Sequence, residues 1–586
     1  MFAILAVDGP DTSVFERALA IANANNQPIN RVSPRLAVIG IAPAVASTPD
    51  AIFFGCASAA ASATHRGPEG LLDGAPDDVV ACAESANGIV LAANRGNHRL
   101  FVHTTNGTTT ASSSLSLLAR AAGEQLDRSY EDFVLGFGFY PGTKSPYVNI
   151  ECLAGGERRV GGASQTTTPP LTTAIPAPDS FDAAIPVLHD LFFKALETQS
   201  AGRTRHAVLL GGFDSMLVAA SLRKLGHEVH TYTFSFGNPN YEQRNVTEFV
   251  NHFGITHHPV TITATQVADA LEDFGNIFYQ PGAQAHYQIF TLLASRQIAA
   301  DGHDHIFNGD GCDAVFLSYP TVNRRAALNR RLSAVPDPLV KAAIAPLRTR
   351  LAENSLGHVA RTMRSMLDNL LLDEPARGHL PTRYLDDFSL RQLRDGSQPA
   401  QAESIAQIRR RLATAVEGQS GPKRAFHGNG LTGQSKVKVD GALAATGVPH
   451  FTPYLDPTLR SFVTSLPIDY LKRQDQSPAT NGKELLVAMV RHYGLLPESF
   501  ITQPKQSPVD SPVDGWYMNE IRDRIKSQLD ALPFAPNRKY VEALLSPKAA
   551  ERWYRNKVSI GHHTLQAIGL LASYAAFNRV ITTGSD

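Results

Sequence analysis

The sequence is short of several things at once. It has four cysteines in 586 residues. They are Cys56, Cys82, Cys152 and Cys312, with no CxxC pair among them. That excludes a disulfide scaffold and disfavours a thiolate zinc site, and it fits a reducing compartment. No charge of either sign is in excess: Lys and Arg number 54, Asp and Glu 54. A dedicated nucleic-acid binder would carry a basic surplus, so no nucleic-acid partner is expected. No apolar run approaches the ~18–20 residues of a membrane helix. The opening segment, Met1 to Asp8, is apolar for too few residues and lacks the basic lead of a secretion signal. It reads as a strand. A cytoplasmic location and no membrane partner are expected. A GxSxG elbow is missing, which disfavours an α/β-hydrolase triad.

What is present is a globular composition, 43% hydrophobic and 18% charged. At roughly 150 residues per domain the length suggests about four units as a soft prior. One boundary stands out, GGASQTTTPPLTTAIPAP from Gly161 to Pro178, where Pro and Thr crowd without periodicity. The organisation read from it is residues 1–162, a linker over 163–179, and residues 180–586. A softer break lies at Gly418–Gly433. Before the linker the pattern is mostly strands. Gly88–Ala93 and Arg99–His103 flank a turn, Asn106-Gly107 marks another, and Ser114–Ala122 is helical. After it, helix Ser180–Ser200 precedes an alternation: strand His206–Leu210, helix Met216–Leu225, strand Glu228–Phe236, helix Glu242–Phe253, helix Ile289–Ala300 and strand His305–Asn308. Such alternation predicts an α/β fold with a parallel sheet.

Two loops leave strands of that sheet. The first is Leu210-Gly211-Gly212-Phe213-Asp214-Ser215. Its glycines allow close backbone approach, and the helix that follows offers free N–H groups to an anion. Asp214 would repel phosphate unless Mg²⁺ lay between them; otherwise it is a simple helix cap. The second is Asn308-Gly309-Asp310-Gly311-Cys312-Asp313, where two carboxylates could hold a hard cation or move a proton, or merely be a solvated turn. Ligands of open parallel sheets bind at the carboxyl ends of strands, so Asp214 and Asp313 could share one Mg²⁺. A third loop, Gln503-Pro504-Lys505-Gln506-Ser507, fixes the approach of one cation.

Other patterns are set aside. Gly428 to Ser435 imitates a P-loop but has Gln434 in place of the lysine. His303-Asp304-His305, His257-His258 and His562-His563 lack ligand spacing, so solvated or capping roles are expected for them.

Taken together, these segments resemble the asparagine synthetase family. Leu210–Met216 is similar to its pyrophosphate loop SGGLDSS, Thr233–Gly237 to TFSVG, and Gly309–Phe316 to GEGADELF. Leu431–Asp440 resembles LPGDMLVKVD, Pro453–Asp456 resembles PFLD, and Pro504-Lys505-Gln506 also matches. Gly138–Thr143 resembles the end of that family's amidotransferase domain. The resemblance implies an N-terminal α+β sandwich of the class II glutamine-amidotransferase (Ntn) type. It implies after it an ATP-pyrophosphatase synthetase domain, α/β with many added helices. It implies ATP and Mg²⁺ as cofactors. Gly211, Gly212, Asp214 and Ser215 would then hold the phosphates, Phe234 and Ser235 would lie beside the adenosine, and Leu210, Gly309 and Gly311 would also belong to the cofactor-binding set. Asp214 and Asp313 would be the metal ligands, Lys505 would stabilise the adenylate, and Asp310 would help deprotonate the attacking amine.

Departures from the family set the branch. Working amidotransferases expose a cysteine after the initiator Met, and here Phe2 follows Met1. Leu210 replaces the first serine of the pyrophosphate loop, and Asp310 is neither the Glu of asparagine synthetases nor the Tyr of β-lactam synthetases. A synthetase without an ammonia supply must use an amine of its own substrate. A lasso peptide cyclase is favoured, acting on a core peptide, with a leader peptidase and a leader-binding protein as partners. β-Lactam or carbapenam closure of a small amino diacid, ammonia-dependent asparagine synthesis and a non-catalytic peptide-binding scaffold are the alternatives.

Overall fold

A computed structural model describes residues 3–40, 45–48, 51–55, 79–93, 99–153, 157–160, 163–165, 175–237, 241–318, 335–336, 338–343, 367, 370–372, 383–394, 400–414, 437–472, 482–502, 512–546 and 560–582. Phe2, Cys56, the Gly418–Gly433 break, the Gly428–Ser435 imitation of a P-loop and Lys505 lie outside these residues, as do the side chains of His562 and His563.

The N-terminal part holds two six-stranded antiparallel sheets. In chain order the strands are β1 (Ala3–Asp8), β2 (Ile29–Ser33), β3 (Leu36–Ile39), β4 (Val45–Thr48), β5 (Ala51–Gly55), β6 (Val79–Ser85), β7 (Gly88–Ala93), β8 (Phe101–Thr105), β9 (Thr108–Ser112), β10 (Ile150–Cys152), β11 (Glu157–Val160) and β12 (Ala163–Gln165). One sheet runs β10-β8-β9-β1-β3-β2 and the other β12-β11-β7-β6-β5-β4. Side chains alternate along β1, so its two faces divide between layers. Ile4 and Ala6 meet Ile52, Val80, Cys82 and Leu91 of the other sheet. Ala3, Leu5 and Val7 join a core with helices Ser13–Ala24 and Leu115–Ala122. Asn106 and Gly107 both take positive φ, 48° and 74°, and close the β8–β9 hairpin. Ser114 caps the helix Leu115–Ala122 through its hydroxyl, and Gly123 ends it with φ 71°.

Two readings from sequence change here. Gly88–Ala93 and the strand after it are not hairpin partners, because β7 and β8 belong to different sheets. The first residues of the expected linker are also structured: Ala163–Gln165 pairs antiparallel with β11 as an edge strand. The strand is only Ala, Ser and Gln, directly before the Thr and Pro run, and three residues are too few for alternation to separate it from the linker.

The remainder builds a five-stranded parallel sheet. Its strands are β13 (Arg205–Leu209), β14 (Glu228–Ser235), β15 (Thr256–Thr261), β16 (Ile306–Phe307) and β17 (His450–Phe451), in the order β15-β14-β13-β16-β17. The chain runs outward from β13 to β15, then returns to the other side of β13. The strand order therefore reverses between β13 and β16, the position at which open α/β sheets leave a crevice. Helices Phe213–Lys224, Tyr241–Phe253 and Ala285–Ala300 make the crossovers.

The two parts share one apolar cluster, in which Phe133, Phe137 and Tyr147 pack with Tyr384, Leu393, Tyr574 and Phe577. At its centre Glu131 is fully buried. It accepts from Arg128 Nε at 2.8 Å, Arg394 Nη2 at 2.7 Å and the Tyr574 hydroxyl at 3.1 Å. Tyr147 donates to the Phe577 carbonyl at 3.1 Å. Replacing one member of a buried ion pair leaves the other charge uncompensated. Arg394→Met is therefore expected to lower the unfolding free energy by roughly 3–5 kcal/mol in denaturant titrations. A loss below about 1 kcal/mol would mean that Arg128 and Tyr574 suffice.

Candidate active site

The turn after β13 enters helix Phe213–Lys224 with Gly212 at the capping position. Asp214 is thus in the first turn and not the cap. The Ser215 hydroxyl ties the loop to itself, accepting from Gly211 N at 2.8 Å and donating to the Gly212 carbonyl at 3.0 Å. Gly211 and Gly212 are exposed, and a β-carbon added to either would meet nothing within 4 Å. The missing side chains therefore open a free approach to backbone N–H groups at a helix start. Leu210 is buried, its N–H donating to the Tyr232 carbonyl at 2.8 Å. It offers no hydroxyl where the family's pyrophosphate loop has one.

The turn after β16 closes on this loop from the other side. A β-carbon on Gly309 would stand 2.8 Å from Asp214 Cβ and 2.8 Å from Ser215 N, so only glycine permits the approach. Gly311 adopts φ +85°, with the Leu455 side chain against it. The Asp310 backbone is held twice, its N–H donating to Asn308 Oδ1 at 2.9 Å and its carbonyl accepting from Thr452 Oγ1 at 2.8 Å. Phe234 and Ser235 end β14, both half-buried, with Phe234 against Phe290 at 5.5 Å between ring centroids.

Asp214 and Asp313 do come together, and a residue that the sequence reading missed joins them. Lys483 Nζ lies 2.6 Å from Asp214 Oδ1 and 2.8 Å from Asp313 Oδ1. Burial disfavours its ammonium, but the Asp214 and Asp313 carboxylates outweigh that and raise its pKa well above the ordinary lysine value. Ser318 holds Asp313 through its hydroxyl, and Tyr454 donates to the Asp214 carbonyl at 2.9 Å. Cys312, beneath them, is fully buried; that burial, and then the Asp214 charge, push its thiol up, so it stays protonated.

Lys483 precedes helix Glu484–His492 and adopts the left-handed conformation, φ 65°. Its backbone carbonyl accepts from Val487 N at 2.8 Å and its N–H donates to the Phe316 carbonyl at 3.1 Å. A lysine at a helix start opposes the helix dipole. That mismatch, next to Gly482, was the available signal for it.

The donor set fits Mg²⁺. Such ions are commonly held by one or two carboxylates with substrate phosphates completing the shell. Here two carboxylates converge on a point already taken by a cationic group, beside an open glycine turn.

A model of the asparagine synthase family matches residues 188–577. No curated protein matches the chain. Among solved structures, NMN synthetase from Francisella tularensis aligns at 14% identity and TM-score 0.19, over 24% of this chain and 60% of that one. Among the described residues no helix is long and apolar enough to cross a membrane. The family match spans well over half the sequence and contains both loops and Lys483: the chain belongs to the asparagine synthase family, whose members are ATP-dependent amide-forming ligases.

Proposed function

We propose that the protein is an AMP-forming macrolactam synthetase, a lasso peptide cyclase. The observation that carries the adenylation chemistry is the convergence of Asp214 and Asp313 on one cationic point beside Gly211 and Gly212. An Asp or Glu side chain of a core peptide is a poor electrophile. Its carboxylate oxygen bonds to the α-phosphorus of ATP and the bond to pyrophosphate breaks. The N-terminal amine of the same peptide then attacks the acyl carbon, AMP departs with the ester oxygen, and the amine proton passes to a base. A tethered amine well oriented for attack gains effective molarities on the order of 10⁵ M or more.

Gly211, Gly212 and Ser215 line the phosphates, whose oxygens take over the Gly211 N–H and the Ser215 hydroxyl from the loop's own bonds. Asp214 and Asp313 would hold Mg²⁺, which would supply neutralisation of phosphate charge. Lys483 keeps both carboxylates aimed at one point and adds a positive charge beside the departing pyrophosphate. Phe234 and Ser235 lie along the adenosine. Asp310, its backbone fixed by Asn308 and Thr452, takes the amine proton, and Lys505 stabilises the adenylate and the tetrahedral intermediate.

The intramolecular amine is favoured because Phe2 stands where working amidotransferases carry their nucleophilic cysteine, and among the described residues Cys82 and Cys152 of the N-terminal sandwich are buried. The finer choice of a peptide over a small diacid rests on Asp310 and on the length of the chain. The sandwich is read as a degenerate amidotransferase unit kept as a brace, in a cytoplasmic enzyme supplied by a leader peptidase and a leader-binding protein.

Incubation with ATP, Mg²⁺ and a leader-free core peptide bearing an early Asp or Glu is expected to yield AMP, pyrophosphate and a peptide lighter by one water in mass spectrometry. AMP without dehydration sinks the cyclase reading, and ADP sinks adenylation altogether. Labelled pyrophosphate should exchange into ATP, which a scaffold cannot do.

Asp214→Asn, Asp313→Asn and Lys505→Ala are each expected to lower turnover at least about a hundredfold, the scale of losing a charge-stabilising group. Their folds should persist by circular dichroism, and normal turnover in any of them refutes its role. Lys483→Met should cut pyrophosphate exchange by a similar factor, whereas Lys483→Arg should retain part of it.

A further inference from the structure

At the end of the parallel sheet opposite the glycine loops, every strand begins at or beside a histidine. His206 lies in β13, His230 in β14, His257 and His258 in β15, and His450 in β17, while His305 directly precedes β16. For His257, His258, His303 and His305 the sequence suggested solvated or capping roles. Instead, His305 is fully buried and His303 is 5% exposed, and His206 and His450 beside them are fully buried too.

On one side of the sheet, His305 Nδ1 meets Asp304 Oδ1 at 2.5 Å, and His305 Nε2 meets His206 Nδ1 at 2.6 Å. The Asp304 carboxylate accepts from the Nδ1–H of His305, so in the neutral ring Nε2 accepts and His206 donates from Nδ1. His206 Nε2 is then an unprotonated nitrogen, buried with no hydrogen-bond partner. The His227 ring stands edge-on to it at 4.5 Å, and Arg203 binds Asp304 at 3.3 Å.

On the other side, His230 Nδ1 lies 3.0 Å from His258 Nε2. The rest of that His230 ring faces Glu228 at 2.7 Å and Arg205 at 3.4 Å. His258 stacks on Tyr232, whose hydroxyl donates to Asp301 at 2.9 Å, and His303 packs edge-on to both His230 and Tyr232. His303 Nε2 is also buried without a partner. His257 sits between the hydroxyls of Thr231 and Thr233, at 3.0 and 3.2 Å. His450 lies 3.1 Å from Ser295 Oγ and 3.4 Å from the Asn308 side chain.

Each ring-to-ring contact holds one proton between two nitrogens. A second proton would set two N–H groups against each other at hydrogen-bond distance. A proton on His206 Nε2 or His303 Nε2 would bury a charged donor with nothing to accept it.

We propose that this row of histidines is an acid-sensitive latch: the sheet that carries the phosphate loops closes at its amino end only while the rings are neutral, and acidification opens it from behind the active site. Burial, the neighbouring histidines and nearby Arg groups depress the folded-state values, to about 3 for His206 and about 4 for His303. His227, His257, His258 and His305 are depressed as well, chiefly by burial. In the unfolded chain these rings titrate near 6.5. The unfolded state therefore binds more protons below that pH, and stability falls as pH falls through the interval between the two values. Each such histidine multiplies the unfolding equilibrium constant by about ten per pH unit.

The test is the unfolding midpoint of the full chain between pH 7.5 and 5, above the range where carboxylates titrate. The unfolding constant is expected to rise at least about a hundredfold per pH unit below 6.5. His206→Asn keeps a donor toward His305 but cannot charge, and should lose about one factor of ten of that slope. Should that variant fail to fold, deuterium exchange at the histidine C2 position of the unaltered protein gives the answer directly. His206 should show no titration above pH 5. A flat stability profile, an unchanged slope in the variant, or titration of His206 near 6.5 in the folded protein overturns the proposal.

Discussion

Two carboxylates borne by loops about a hundred residues apart repel each other unless a cation lies between them. Here that cation is the Lys483 ammonium, within 2.8 Å of both Asp214 and Asp313. Much of the local architecture serves this contact. Gly309 lets the loops touch, Ser318 and Tyr454 hold the two acidic residues, and Lys483 accepts a left-handed backbone to reach them. A non-glycine residue in that conformation costs of order 1–3 kcal/mol, which the ion pairs offset. The site is therefore organised before any phosphate arrives.

The parallel sheet is chemically polarised. Its carboxyl end gathers permanent charges around an open backbone, suited to a polyanion. Its amino end gathers buried and half-buried histidine rings. The same strands serve both ends, so a disturbance at one displaces loops at the other along only five to eight residues of β13 and β14.

Much of this was legible in the sequence, and the exceptions have physical causes. Glycines with an acid after an apolar strand are a local pattern, so Gly211, Gly212, Asp214, Asp310 and Asp313 could be read directly. The rule that open parallel sheets bind ligands at the carboxyl ends of their strands then placed both loops at one edge. Lys483 could not be found that way, because its partners are far away in sequence and its own neighbourhood reads as an ordinary helix start. The histidines were misjudged for a related reason. Residues at the amino end of a short strand look like loop until neighbouring strands and crossover helices bury them. Ala163–Gln165 was missed because an edge strand needs only one partner and leaves little periodicity.

The bond from the Tyr147 hydroxyl to the Phe577 carbonyl spans 430 residues. At roughly 5–20 residues per second, a ribosome needs on the order of 20–90 s to make that stretch. Throughout that interval the apolar face of Phe133, Phe137 and Tyr147 has been synthesised while helix Ile560–Thr582, which covers it, has not. Helix Ile560–Thr582 is thus the keystone of the first sandwich, and completion of the N-terminal core waits for its synthesis.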